Sequence, residues 1–417
     1  MHILWLKTEL LHPVDKGGRI RTYQTLKALK ERHRVTYLTL DDGTAAPDAA
    51  ARASEYCHDL ITVPFQQPSK GSASFFLDLA TNLLSSLPYA VAKYRSAAMR
   101  AAIVSAVRER NVDLVVCDFL FPSPNLPSNL GVPIVLFQHN VEAAIWERHA
   151  KVAGNPVKRA YMTLQWKRMF AFERAECHRY DHVIAVSDAD AETMRLWYGA
   201  NNVSAVPTGV DTDYFRPTTD AAPHAHELVF TGSMDWMPNE DGVEWFAEAI
   251  FPLIRREEPD TTLSIVGRHP TPRVKAVGQH NAGVVVTGSV PDVRPFLARA
   301  AVFVVPLRVG GGTRLKIYEA MAMERCVVST RIGAEGLPLR DGEEVVLADE
   351  PSQFASAVVR LLRDPERARR IGSAAADRVR REFSWDSAGR VFAAQCGRWW
   401  PSARPRNRLA TPVPQRP

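Results

Sequence analysis

Apolar residues along this chain come in short runs separated by helical spacing. Residues 2–6 (HILWL) read as a short buried strand, followed by a loop holding Pro13, Gly17 and Gly18. From about residue 19 to 30, Leu26 and Leu29 fall on one face of a predicted helix. Residues 35–40 (VTYLTL), rich in β-branched and aromatic side chains, predict a second strand. Strand, glycine loop, helix and strand make a βαβ start, which implies a parallel sheet. The pattern recurs at 112–117 (VDLVVC), 133–137 (PIVLF) and 182–186 (HVIAV). Ser187 and Asp188 then look like a helix N-cap. A long helical stretch lies between 157 and 180.

Residues 207–226 break the pattern, with three prolines and no apolar periodicity, and read as a linker. A second βα series follows, with strands expected at 228–231, 262–266, 283–287, 302–305 and 326–329. The expected fold class is therefore α/β, with two Rossmann-like doubly wound parallel-sheet domains facing a central cleft. The first covers 1–207 and the second 227–385, joined by a linker at 208–226. Residues 386–400 predict a last helix packing back on the first domain, and the Pro- and Arg-rich tail 401–417 is expected to be disordered. Ligands of open α/β sheets sit beyond the carboxyl ends of the strands, so functional side chains are expected in the loops that follow them.

Composition narrows the picture modestly. The hydrophobic fraction is 46% and the charged fraction 24%, ordinary for a globular chain. Fifty-two basic against 46 acidic residues is too small an excess to argue for nucleic acid, and none is expected as a partner. It suits a phosphorylated substrate or an anionic membrane surface. Cys57, Cys117, Cys177, Cys326 and Cys396 are scattered and form no C-x-x-C pair, which reads as reduced thiols in a cytoplasmic protein. The N-terminal apolar run is broken by Lys7 and Glu9, unlike a signal peptide, and no run of eighteen apolar residues offers a membrane span.

The most informative stretch is 302–330 (VFVVPLRVGGGTRLKIYEAMAMERCVVST). A strand ends near Pro306; Gly310, Gly311, Gly312 and Thr313 follow, then a helix with Leu315, Tyr318, Met321 and Ala322 on its buried face. A glycine run at a helix start exposes backbone N–H groups to an anion. Arg314 and Lys316 oppose the helix dipole there, which a bound anion would offset. Glu319, two turns in, is placed to accept hydrogen bonds from two vicinal ribose hydroxyls. The plainer reading of the glycines is a turn, and of Arg314 a solvated surface residue.

This stretch resembles the donor-binding motif of the retaining GT-B glycosyltransferases, in particular glycosyltransferase family 4. In that family two glutamates sit eight positions apart across such a loop and helix. The second, which binds the ribose, corresponds to Glu319; the first would fall on Gly311, a departure shared with a branch of the family that has TRLKI-like wording. The family's arginine and lysine after the first strand of this domain are also missing. The matching stretch, 230–241 (FTGSMDWMPNED), offers Ser233 and Asn239, and Arg314 and Lys316 are expected to supply the charge instead. The resemblance further implies donor contacts at Gly288 and Val290, and a glycine pair facing the donor at Gly17 and Gly18. A histidine meeting the donor sugar corresponds to His139. Asp118, Asn140 and Glu142 are acceptor-side candidates.

What the resemblance implies is a retaining transfer from a nucleoside-diphosphate sugar to a glycan, lipid-linked or other hydroxyl acceptor. His139 and Glu319 are the expected catalytic-site residues, with no cofactor. Backbone N–H groups at the helix start, with Arg314 and Lys316, are expected to stand in for a metal, so none is expected. Residues 158–174 (KRAYMTLQWKRMFAFER) mix aromatic and basic side chains. They read either as a core helix with a basic face or as a peripheral contact with the inner face of the membrane. Two rivals share the architecture: a nucleotide-sugar 2-epimerase, and a non-catalytic nucleotide-sugar-binding protein.

Overall fold

The computed structural model describes residues 1–417 except 16, 70, 153–154, 218–223, 310–314 and 399–417. The chain divides into two compact units, one comprising Met1–Pro207 and the chain from Gly389, the other Thr208–Ala388. Each is built on its own parallel sheet.

The first unit holds β1 (His2–Lys7), β2 (Arg34–Asp41), β3 (Asp59–Pro64), β4 (Leu114–Asp118), β5 (Ile134–Phe137), β6 (His182–Ala185) and β7 (Val203–Ala205). Their order across the sheet is β3-β2-β1-β4-β5-β6-β7. All six positions of β1 are buried, as are all of β4, β5 and β6. Strands covered on both faces read as continuous apolar runs, which is why these are plain in the sequence. The helix Asp188–Tyr198 begins as expected: Ser187 Oγ accepts from the Asp190 amide, and Gly199 ends it in the left-handed region at φ 69°. Part of the helix Trp385–Arg398 also belongs to this unit, through Phe392 packed on Trp5 and Phe137 at ring separations of 5.5 and 5.1 Å.

The second unit holds β8 (Glu227–Thr231), β9 (Thr262–Val266), β10 (Val284–Gly288), β11 (Val302–Val305), β12 (Val327–Ser329) and β13 (Val346–Leu347), ordered β10-β9-β8-β11-β12-β13. Two glycines permit a close backbone crossing at the carboxyl ends of β8 and β9. A Cβ on Gly267 would lie 1.6 Å from the Gly232 carbonyl oxygen.

In both sheets the strand order reverses once, between β1 and β4 and between β8 and β11. These switch points, at the carboxyl ends, are where open α/β sheets bind ligands. The five cysteines are all buried and free. Among the described residues no helix is long and apolar enough to cross a membrane.

The 158–174 stretch is divided between its two readings. It lies in the helix Pro156–Arg179, whose Gln165, Met169, Glu173, Glu176 and Cys177 are buried, while Val157, Lys158 and Arg159 in its first turn are exposed.

Candidate functional site

At the switch point of the first sheet, Lys7 ends β1 and Asp118 ends β4. Lys7 Nζ lies 3.0 Å from Asp118 Oδ2, with both side chains buried. The same oxygen accepts from Trp5 Nε1 at 2.8 Å and from Thr22 Oγ1 at 2.6 Å, and Lys7 also donates to Thr22 Oγ1 at 2.8 Å. Asp118 Oδ1 lies 2.8 Å from His139 Nε2, just beyond β5. Burial pushes the Asp118 pKa up, but the Lys7 ammonium and His139 more than offset it and hold the carboxyl well below its usual range. Burial draws His139 down to about 3 despite the carboxylate, so the ring is neutral.

His139 is 1% exposed, and neither ring nitrogen has a well-formed hydrogen bond among the described residues; the Asp118 contact is close but poorly aligned. Its Nδ1 faces Gly18, where an added Cβ would sit 3.9 Å away. Phe119 covers the ring at a centroid separation of 4.0 Å, with its own backbone in the left-handed region at φ 68°. A buried imidazole without hydrogen bonds beside a strained aromatic residue is an uncommon economy in a folded core.

Several expected positions shift. Gly17 and Gly18 do not precede the first helix; they open it, in Gly17–Lys30, because the Gly18 carbonyl already accepts from Thr22 Oγ1 in the first turn. Asp118 is the last residue of its strand rather than part of the loop. Glu142 does not project into open space. It starts the helix Glu142–Val152 and is 7% exposed, with its pKa pushed up to about 7 by burial and by Glu173. Asn140 is half-buried and hydrogen-bonds the Glu142 carboxyl. Glu173, fully buried, caps that helix by accepting from the Glu142 and Ala143 amides at 3.0 and 2.8 Å. It also accepts from Gln138 Nε2 at 2.6 Å and Tyr198 Oη at 2.7 Å.

At the switch point of the second sheet, Gly310, Gly311, Gly312, Thr313 and Arg314 lie outside the described residues. The helix Leu315–Ala322 follows. Leu315 is half-buried, and Ile317, Tyr318, Ala320, Met321 and Ala322 form the buried face. Lys316 turns toward the loop after β8: its Nζ donates to Asn239 Oδ1 at 2.8 Å and sits 4.0 Å from the Phe230 ring centroid. Asn239 is 2% exposed, and its Nδ2 donates to the Ser233 carbonyl at 2.8 Å, which fixes the amide's orientation. Arg268, just beyond β9, donates from Nε to Ser233 Oγ at 3.2 Å. Ser233 Oγ in turn donates to the exposed Asp235 at 2.5 Å. Ser233, in the loop after β8, and Asn239, in the first turn of the helix Met237–Trp245 that follows, are thus each met by a cation from a neighbouring element. A Cβ on Gly232 would stand 2.6 Å from Asn239 Nδ2 and 2.7 Å from Lys316 Nζ. Glu319, one turn beyond Lys316, is half-buried; burial raises its pKa to about 7, against the lowering pull of Lys316. Gly288 ends β10 at φ 70°, and Val290 packs partly on the core.

Sequence reading missed the site roles of Lys7, Trp5 and Thr22. The signal for Lys7 was its place: a lysine ending an otherwise apolar strand must find a buried partner or water. The linkage of Lys316 to Asn239 across 77 positions left no local signal.

Among the described residues no group of three metal-ligating side chains comes together.

Two doubly wound parallel sheets, each with a polar constellation at its switch point, define the GT-B architecture. The chain belongs to glycosyltransferase family 4: the model described as Glycosyltransferase Family 4 matches residues 16–214, and the one described as Glycosyl transferases group 1 matches 225–364. One relative is a GDP-mannose-dependent alpha-(1-6)-phosphatidylinositol monomannoside mannosyltransferase of Mycolicibacterium smegmatis, 29% identical over 45% of this chain and 54% of its own length. Another is the lipopolysaccharide core biosynthesis mannosyltransferase LpcC of Rhizobium leguminosarum bv. viciae, 25% identical over 62% of this chain and 76% of its own. The chain spans about half the length or less of the first curated relatives it matches. The fold is shared with Anabaena Alr3699/HepE, solved in complex with UDP, at a TM-score of 0.66 and 14% identity over 95% of this chain and 100% of that one.

Proposed function

We propose that the chain transfers a glycosyl group from a nucleoside-diphosphate sugar to a hydroxyl acceptor, with retention, in glycoconjugate or polysaccharide biosynthesis. The observation that carries the reading is the position of Lys316, held at 2.8 Å by Asn239 at the start of the helix that follows β8, with Glu319 one turn further on. In this reading Lys316 and Arg268 meet the diphosphate and stabilise the charge that grows on it as the glycosidic bond breaks. Glu319 accepts from the ribose hydroxyls. His139, buried without a well-formed hydrogen bond, is the group that meets the donor sugar. The leaving-group charge then falls on side-chain cations and not on a divalent ion, so chelator leaves turnover unchanged.

The acceptor is a glycan or a lipid-linked glycan. Five buried, free thiols suit a reducing compartment such as the cytoplasm, with the protein peripheral on the membrane's inner face. The GDP-mannose-dependent relative and the Anabaena neighbour, also solved with UDP-glucose, make GDP-mannose and UDP-glucose the first donors to try. The test is nucleotide release from UDP-, GDP- and ADP-sugars, with and without hydroxyl acceptors, for the parent and Lys316→Met. Acceptor-stimulated release that Lys316→Met suppresses supports the reading. Tight nucleotide binding with no release from any donor would point to a binding protein instead.

A further inference from the structure

One part of the first unit is built unlike the rest of its surface. The helix Ala73–Asn82 and the turn after it leave Phe76, Leu77, Leu83 and Leu84 at 60%, 64%, 50% and 94% exposure. Val157, opening the long helix, is 78% exposed. Between them lies an open groove of about 530 Å³, lined by Leu79, Leu83, Val157 and Tyr161 among others. Scattered exposed apolar residues are ordinary; a contiguous set of this size marks a surface meant to be covered.

The tip is held in place by buried polar chemistry. Gln165, fully buried, accepts from the Tyr89 amide at 2.8 Å and donates to Asn82 Oδ1 at 3.2 Å. Asn82 Nδ2 donates to the Leu87 carbonyl at 3.1 Å. Arg168 donates to the Asn82 and Leu83 carbonyls at 2.9 and 2.8 Å. The carbonyls that end the helix are therefore satisfied from inside, and the two leucines are fixed pointing outward. A frayed loop would fold such side chains back onto the protein.

Charge selects the occupant. Residues 71–95 and 155–168 together carry six basic side chains and one acid, Asp78. Lys158 lines the groove, and Arg159 beside it is exposed. An apolar tip flanked by cations matches a bilayer surface, whose acyl boundary takes the leucines and whose anionic headgroups take the bases. We propose that this tip docks the protein on an anionic lipid bilayer. The inference rests on the peripheral-membrane part of the reading above and is independent of the donor chemistry.

The test is flotation of the full chain with vesicles of phosphatidylcholine alone or mixed with phosphatidylglycerol. The variants are Phe76→Ser/Leu77→Ser/Leu84→Ser and Lys158→Glu/Arg159→Glu. Thermal melting and nucleotide binding in solution, expected to match the parent, report that the variants fold. Docking predicts flotation only with the anionic vesicles, a fall in the bound fraction of about fivefold or more in the serine variant, and a similar loss in the glutamate variant. Absence of flotation at low ionic strength overturns the proposal, as does a serine variant that floats like the parent. A parent that is dimeric, does not float, and becomes monomeric on serine substitution assigns the surface to a second copy and also overturns it. Loss of nucleotide binding in Lys316→Met with flotation intact separates failure of the donor site from failure of docking.

Discussion

The two sheets carry the same kind of group at the same topological place and treat it in opposite ways. In the first unit the cation at the switch point, Lys7, meets a buried carboxylate at 3.0 Å, and that carboxylate also gathers Trp5, Thr22 and His139. In the second, Lys316 hydrogen-bonds an uncharged amide and Arg268 an uncharged hydroxyl, and the carboxylates they influence, Glu319 and Asp235, are half-buried and exposed respectively. A cation paired internally is a fixed structural element that contributes little field outside itself. A cation whose direct hydrogen-bond partner is an amide or a hydroxyl keeps more of its field for a ligand than one in a buried contact ion pair. On the proposed reading the difference marks the second unit as the one that receives an anion, and it can be broken by mutation.

The largest effect is expected in the first unit. Lys7→Met strands the Asp118 charge in the core and should cost about 3–5 kcal/mol of stability, with Lys7→Met/Asp118→Asn recovering most of it. Denaturant unfolding checks both; a loss under about 1 kcal/mol for the single variant would erase the contrast. In the second unit Lys316→Met should leave stability nearly unchanged and weaken nucleotide binding by roughly 1.5–3 kcal/mol, tenfold or more, by calorimetry. Charge-neutral substitution of Arg314 as well is expected to raise the donor KM further.

Acid–base behaviour sharpens the same contrast. With Glu319 raised to about 7, nucleotide affinity should fall as pH drops through about 7 and the carboxylate proposed to meet the ribose protonates; Glu319→Gln should bind weakly with no such dependence. Glu142 and Glu173 are also raised to about 7, from a starting value of 4.5. Carboxyls whose folded pKa exceeds the unfolded one hold more protons when folded, so their contribution favours folding below about 4.5 and is lost as pH rises toward 7. Glu142→Gln should flatten the melting temperature across that interval. Asp118 carries the opposite sign: its contribution is present above its unfolded pKa and is lost only in strong acid. The smallest effect is expected for Ser233→Ala, which removes one hydrogen bond to Arg268 and should weaken nucleotide binding a few-fold, roughly 0.5–1.5 kcal/mol.

Much of the fold was legible because strands buried on both faces write themselves as apolar runs. Residues 262–266 and 302–305 coincide with β9 and β11, and the remaining expected strands differ from those observed by one or two residues at an end. The three strands that escaped, β3, β7 and β13, each lie at a sheet edge. β7 and β13 have three and two residues, and β3, an edge strand, has only one fully buried position. The candidate site was legible where one element carries its signal, as with His139 beyond β5 or Glu319 on its helix. What was not legible were partnerships set by folding: Lys7 with Asp118, Arg268 with Ser233, Lys316 with Asn239. Local sequence shows that a charge is present but not which distant neutral atom will aim it.

The crossing of Gly232 and Gly267 bears on how a donor preference could be altered in the laboratory. With a Cβ on Gly267 falling inside the neighbouring carbonyl oxygen, any side chain there must displace the Gly232 backbone, whereas one at Gly232 meets the Asn239 amide and the Lys316 ammonium. On the proposed reading, changes of sugar or base are to be sought in side chains around this crossing, at Ser233 and Val290, while Gly288, at φ 70°, is itself kept to glycine.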